Sequence, residues 1–203
     1  NLGIDPTLFT SKQIKNFFLK NNKITIIKEN LVDKISKIKN KKNSSFYSID
    51  KNIAGESHHK KISRVSSFLK RNKYDYLFIT APENVAWLLN IRGYDSPTSP
   101  IPNSNLLLTK EKQVFLIVEK NKTTKLLSEK KLKQNQIIDP KYILDFFDKL
   151  KKGTILIDEK TCSLYFEKVI EKKLKITKKE DPIYILKSIK NKIEIKNMIN
   201  AHV

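Results

Sequence analysis

Several groupings of side chains in this 203-residue sequence are of types that can do chemistry. His58 and His59 stand beside Glu56, all three being donors that a metal ion accepts. Adjacent residues on a helix point about 100° apart, however, and neither histidine has a His or Cys four positions on, so the spacing of a helical zinc pair is missing. Both read as solvated side chains at a helix start. Cys162 sits between Thr161 and Ser163, which announce a helix start where a thiol pKa can fall. The remaining histidine, His202, lies far off in the tail, so Cys162 reads as a small buried filler. Asp158, Glu159, Glu180 and Asp181 could pair for acid and base work, but they fall at a strand end and in a connector, where acids commonly cap and solvate. The tract Ala86 to Asp95 is different. It holds the only Trp, Trp87, one of three arginines, Arg92, and Gly93, which permits an abrupt turn before a proline-rich loop. A helix end that delivers Trp87, Asn90, Arg92 and Asp95 toward that loop can form the wall of a site. Equally, Arg92 and Asp95 can pair with each other and brace the turn.

The elements that must position these residues follow from periodicity. Ile14, Phe17 and Phe18 predict a helix over 11–21, and a β-branched strand follows at 24–27. Residues 37–52, crowded with like charges and turn formers, read as an interdomain linker, with one domain ending at 43 and the next running over 44–181. Ile62, Val65, Phe68 and Leu69 stripe a helix over 57–72. A strand at 76–80 comes next, then a helix that Pro82 opens and Gly93 stops. Pro97, Pro100 and Pro102 make 95–105 an extended loop. Segments 106–108 and 114–118 flank a turn and read as a hairpin. Helices at 123–129, 142–150 and 163–172 then alternate with strands at 137–138, 154–158 and 174–177. Such alternation around one hairpin predicts an α/β fold, a mixed β-sheet flanked by helices. In the tail, Asn191 with Glu194 three residues on predicts a capping box, and Ile195, Met198 and Ile199 make a helical apolar stripe.

Charge is the compositional outlier: 41 Lys and Arg against 21 Asp and Glu, a formal +20. Such an excess suits nucleic acid or an anionic membrane surface. Two features argue against both. Only Arg64, Arg71 and Arg92 are arginine, the side chain used for bidentate base and phosphate recognition, and each half of the chain carries +10. The lysine runs, 149–152 and 172–179 among them, also lack interleaved aromatics for stacking single strands. No nucleic-acid and no membrane partner is therefore expected, and no apolar run approaches the roughly 20 residues of a membrane helix. One cysteine and no secretory start point to a reduced, cytoplasmic protein. A first residue Asn1 and a stop at Val203 within a helical pattern suggest a fragment.

The tract Trp87-Leu88-Leu89-Asn90-Ile91-Arg92-Gly93-Tyr94-Asp95 resembles a signature of the cytosolic three-domain Xaa-Pro aminopeptidases, of the creatinase and prolidase group of metallopeptidases. Residues 28–35 resemble the close of that family's first domain, Asp5-Pro6 a stretch upstream of it, and Ala54-Gly55 the opening of its second. Asp181-Pro182-Ile183, Lys190-Asn191, Glu194-Ile195, Met198 and Ala201-His202 resemble the start of its catalytic domain. After Ile35 the family's Trp and Arg-Pro pair give way here to Ser36 and a Lys-Asn linker. The resemblance implies the tail of a first creatinase-N-type domain (1–43), a complete second one (44–181) and the first helix of a pita-bread catalytic domain (182–203). It also implies a hydrolase that removes the N-terminal residue from short peptides with proline in second position, homodimeric when complete. Two divalent metal ions, manganese, would serve the missing catalytic domain through ligands that do not map onto this chain, so none is expected to bind here and no catalytic residue is assigned. Trp87, Asn90, Arg92 and Asp95 become candidates for a loop shaping substrate access, with Arg92, Asp95 and Trp87 facing the catalytic domain. The alternative class is a stand-alone basic α/β module that docks acidic peptides or nucleic acid, recognisable by a steep salt dependence.

Overall fold

The computed structural model describes residues 1–18, 23–27, 29–35 and 44–202. Strand β1 (Leu2–Ile4), helix α1 (Ser11–Phe17), strand β2 (Ile24–Ile26) and helix α2 (Leu31–Ile35) come first. β1 and β2 pair in parallel, with Leu2 opposite Ile24. Thr10 opens α1 with a capping box that Gln13 closes. Residues 19–22, where that helix was expected to continue, and 36–43, which hold the first part of the expected linker and its boundary, lie outside the described residues. Next come β3 (Tyr47–Ser48), α3 (Lys51–Ala54), α4 (His58–Arg71), β4 (Tyr76–Ile79), α5 (Pro82–Leu89), β5 (Ile91–Arg92), β6 (Asn105–Thr109) and β7 (Val114–Ile117). The remainder comprises α6 (Thr124–Ser128), β8 (Ile137–Ile138), α7 (Ile143–Lys149), β9 (Thr154–Ile157), α8 (Leu164–Glu171), β10 (Lys175–Lys178), α9 (Ile183–Ser188) and α10 (Lys192–Asn200).

Six of these strands make one sheet in the order β10-β9-β4-β6-β7-β8. β10, β9 and β4 run parallel, β6 is antiparallel to both β4 and β7, and β8 returns parallel to β7. The sheet is mixed, as the alternation of elements predicted. Its central strands carry apolar residues on both faces because both are covered. Leu77 and Ile79 meet the α4 and α5 stripe of Val65, Leu69, Val85, Leu88 and Leu89. Phe78, pointing the other way, meets Phe147 of α7 and Phe166 of α8, both ring pairs edge to face.

The amino-terminal elements lean on α8. The first backbone N–H groups of a helix lack partners within it. Here Leu164 N–H donates to Phe9 O at 2.8 Å and Tyr165 N–H to Pro6 O at 2.9 Å. Ser11 Oγ adds a bond to Glu167 Oε2 at 2.7 Å.

Residues 44–52 are not a bare linker: they hold β3 and the start of α3, whose Asp50 cap accepts from Asn52 N–H. Nor does Gly93 end α5. Asn90 does so in the left-handed conformation at φ 51°, a state that Asn tolerates better than most residues. Gly93 serves closeness instead. A Cβ there would stand 2.8 Å from Pro102 Cα and 2.9 Å from Phe46 Cδ1, and its N–H donates to Pro100 O.

Of the four acids at the end of β9 and before α9, Glu159 and Glu180 stay at the surface, paired with Lys12 and Lys160, while Asp158 and Asp181 are buried. Asp158 is 3% exposed and Asp181 3% exposed. Asp158 Oδ2 accepts from Asp181 N–H at 3.0 Å, while Asp181 takes Ile183 N–H at 2.9 Å and Asn84 Nδ2 at 2.8 Å. Together they tie the start of α9 to the end of β9 and to α5. Cys162 is, as expected, a buried filler, its thiol pushed up to about 12 by burial.

Two outcomes follow. Gly93→Ala should lower stability by about 1–3 kcal/mol in urea denaturation, because Pro102 backbone cannot retreat without reopening the loop. Burial pushes the Asp181 carboxyl up to about 6, against the opposing bonds from Ile183 and Asn84 and from an ordinary value of 3.8. The folded chain therefore holds this proton more tightly, so its contribution is full below 3.8 and is lost as pH rises through about 6. The urea midpoint of the parent should fall between pH 4 and pH 7 relative to that of Asp181→Asn, whose difference from the parent should change in that window alone.

Candidate functional site

The candidate site starts from a lysine that the sequence hides among many. Lys61 stands four residues before Val65 on the apolar face of α4 and is 2% exposed. Its Nζ donates to Asn90 Oδ1 at 2.7 Å and to Trp87 O at 3.0 Å, and it lies 4.2 Å from the centroid of the Trp87 ring. Burial pulls this ammonium down to about 8, partly offset by the charges of Glu194 and Glu56. Asn90 uses its other end as well: Nδ2 donates to Glu56 O at 2.7 Å. One left-handed asparagine thus ends α5, accepts from α4 and holds the turn before it.

Beyond Asn90 the chain enters β5, which pairs antiparallel with β3, Arg92 opposite Tyr47 and Ile91 opposite Ser48. This pairing aims Arg92. Its Nη1 donates to Ile91 O at 2.8 Å, and burial lowers its pKa, with Tyr47 acting the other way. Among the described residues Arg92 has no carboxylate partner. The Arg92–Asp95 pair weighed from spacing is not formed: Asp95 takes Lys122 Nζ at 2.8 Å and Asn103 N–H at 2.7 Å, which closes the proline loop.

α10 supplies the facing wall. Asn191 caps it and Glu194 completes the capping box, as predicted. Asn191 Nδ2 donates to Ala54 O at 3.0 Å and Asn197 Nδ2 to Ile53 O at 3.1 Å, so α3 holds α10 in place. Gly55 makes room for that cap: at φ 74°, with a Cβ that would fall 2.1 Å from Asn191 Oδ1, the position accepts only glycine. Between the walls lies a cavity of about 290 Å³, lined by Lys61, Trp87, Asn90 and Arg92 on one side and by Lys190, Glu194, Asn197 and Met198 on the other. Among the described residues Trp87 Nε1 is buried with no hydrogen-bond partner. Three cations, Lys61, Arg92 and Lys190, and an indole donor make this a place where an acceptor-rich group can be held and oriented.

Three of the four sequence candidates, Trp87, Asn90 and Arg92, meet at this cavity, and Asp95 does not. A larger groove of about 700 Å³ runs between α4 and α9, but its Arg64 is already paired with Glu56 at 2.7 Å and its Asp181 is consumed by the latch described above. The two histidine rings lie 3.9 Å apart, but only His59 is exposed; His58 is half-buried against Lys131, contrary to the expectation of two solvated rings. Among the described residues no group of three or more His, Cys, Asp or Glu is placed to hold a metal ion, and no helix is long and apolar enough to cross a membrane.

Comparison with known proteins agrees with the signature tract. Xaa-Pro aminopeptidase app-1 of Caenorhabditis elegans is 33% identical over 125 residues, 59% of this chain and 20% of that protein. Xaa-Pro aminopeptidase 1 of Dictyostelium discoideum is 32% identical over 102 residues, 46% of this chain and 16% of that protein. The chain thus spans about a fifth of the length of the curated relatives it matches. Among solved structures, the X-prolyl aminopeptidase of Caenorhabditis elegans, described as a cytosolic enzyme with a di-nuclear active site, matches with a TM-score of 0.81 at 22% identity, over 98% of this chain and 34% of that one. That likeness shows a shared fold. Residues 37–194 match the Creatinase/Prolidase N-terminal domain, and the chain belongs to that family.

Proposed function

We propose that this chain is the non-catalytic front of a Xaa-Pro aminopeptidase, and that the cavity wall of Trp87, Asn90 and Arg92 shapes access to the active site. In this reading residues 1–43 close a first creatinase-N-like domain, 44–181 form the second, and 182–203 begin the catalytic domain. The substrates are short peptides with proline in second position, and the working enzyme is a cytoplasmic homodimer. Two divalent metal ions, manganese, belong to the catalytic domain. The described residues offer no metal cluster, so no catalytic step is assigned to this chain.

The observation that supports this reading is the placement of α10. The helix that resembles the opening of the catalytic domain is pinned to α3 through Asn191 and Asn197, so it lines the same cavity as Trp87, Asn90 and Arg92. A half-buried guanidinium with no carboxylate partner is an orienting group for a carbonyl or carboxylate. Asp95 drops out of the access role and becomes a brace, since Lys122 and Asn103 take both its oxygens.

In the enzyme assembled with its catalytic domain, Arg92→Ala should lower kcat/KM for a tripeptide about tenfold, the cost of one lost charged hydrogen bond, and should alter the ratio between tripeptide and longer substrates. Arg71→Ala, on the α4 groove, should do neither. An unchanged length preference, activity and domain docking in Arg92→Ala overturns the reading. Asn90→Ala should also act on stability, by about 2 kcal/mol in urea denaturation, because Lys61 loses its side-chain acceptor and Ala tolerates the left-handed conformation less well than Asn.

A further inference from the structure

A second recess, of about 310 Å³, lies between the amino-terminal end of α4 and the turn that follows α6. Lys112, Lys130, Lys131 and Lys133 rim it together with His58 and His59, and no Asp or Glu lines it. In a chain with 38 lysines, four around one recess need a comparison. The cleft of about 610 Å³ beside the β6–β7 turn supplies one. It too carries four lysines, Lys110, Lys149, Lys151 and Lys152, but Asp75 and Glu111 line the same walls and Lys110 pairs with Asp75 at 2.6 Å. Among the described residues none of the four lysines of the first recess forms an ion pair, although Glu129 and Asp50 act on Lys131 from farther off.

The lysines are also placed at some cost. Lys112 and Lys130 occupy the left-handed region, at φ 69° and 53°, where Gly or Asn is the easier residue. Lys131 Nζ stands 3.1 Å from His58 Nδ1. Burial, and then the charge of Lys131, pull His58 down to about 4, so the ring is neutral at pH 7, accepts at Nδ1 and keeps its proton on Nε2. The positive end of the 14-residue α4 adds to the same field. Ile62, Leu89, Val114 and Leu132 give the recess an apolar floor.

We propose that this recess binds a small, multiply charged oxyanion of the phosphate-ester class. Ammonium groups serve such a ligand as point charges, which needs no bidentate fork and fits a site built without arginine. The neutral His58 supplies a hydrogen-bonding edge, and the apolar floor accepts the organic part of an ester. A nucleic-acid strand fits less well, because no Phe, Tyr or Trp lines the recess for a base to stack on.

Pyrophosphate titrated into the full chain at about 0.15 M ionic strength tests the site, read by calorimetry and by backbone amide chemical shifts. One saturable event is expected, with shifts at Lys112 and over 130–133. Its affinity should fall roughly tenfold or more in Lys131→Gln/Lys133→Gln, the loss of two charge-assisted contacts. The charge-matched Lys149→Gln/Lys152→Gln should retain it, with circular dichroism confirming that both variants fold. Equal weakening in the two double variants, absence of saturation, or tighter binding of a single-stranded oligonucleotide than of pyrophosphate through these residues would each overturn the proposal.

Discussion

A lysine ammonium taken almost wholly out of water needs acceptors at every donor, since desolvating an unpaired charge costs several kcal/mol. Lys61 has two such acceptors, Asn90 Oδ1 and the Trp87 carbonyl, and the face of the Trp87 indole stands 4.2 Å from its Nζ. The demand spreads outward. For the carbonyl of Trp87 to be open to Lys61, α5 must stop within a residue or two, so a residue at ease in the left-handed region is needed where Asn90 stands. That reversal sends the chain back antiparallel to β3 and presents Arg92 to the cavity. Helix length, strand direction and the aim of the guanidinium thus share a cause.

The opposite wall depends on a single missing methyl. Because Gly55 has no Cβ, Asn191 can approach α3 closely enough to donate to Ala54 O while its Oδ1 still accepts from Ile193 and Glu194 N–H. The cap of α10 and the C-terminal turn of α3 are therefore interlocked. Behind them, the buried Asp158–Asp181 contact sets where α9 leaves the sheet, so the route from β10 to α10 is held at both ends.

Much of this frame was legible in residue patterns, for reasons that also explain what was not. Strands 76–79 and 154–157 are apolar runs buried on both faces, and Pro82 marks the start of α5 by a purely local rule. Two-residue strands such as β3 and β5 have no period to detect; they exist because Tyr47 and Arg92, 45 positions apart in sequence, become neighbours. Asp95 illustrates the same limit. From spacing its obvious partner was Arg92, but Lys122 arrives from beyond the β6–β7 hairpin and takes the carboxylate instead. Lys61 was the missed residue with a usable signal, since its place four before Val65 puts it on the buried stripe, where a lysine is rare without a built acceptor set.

The even spread of lysine along the chain conceals an uneven electrostatic design in space. Exposed lysines at Lys12, Lys110 and Lys160 pair with carboxylates, where screening leaves each pair worth little. The three cations of the cavity, Lys61, Arg92 and Lys190, are held by carbonyl and amide oxygens instead. Neutral acceptors satisfy geometry without cancelling charge. Glu194, the one carboxylate on the cavity lining, is drawn aside by the capping box, its Oε2 accepting from Asn191 N–H at 2.9 Å. From there it offsets the burial of Lys61 at a distance without neutralising it. The bond that starts α10 therefore also keeps the cavity cationic, so the same contact that places the second wall preserves the field that the first wall projects.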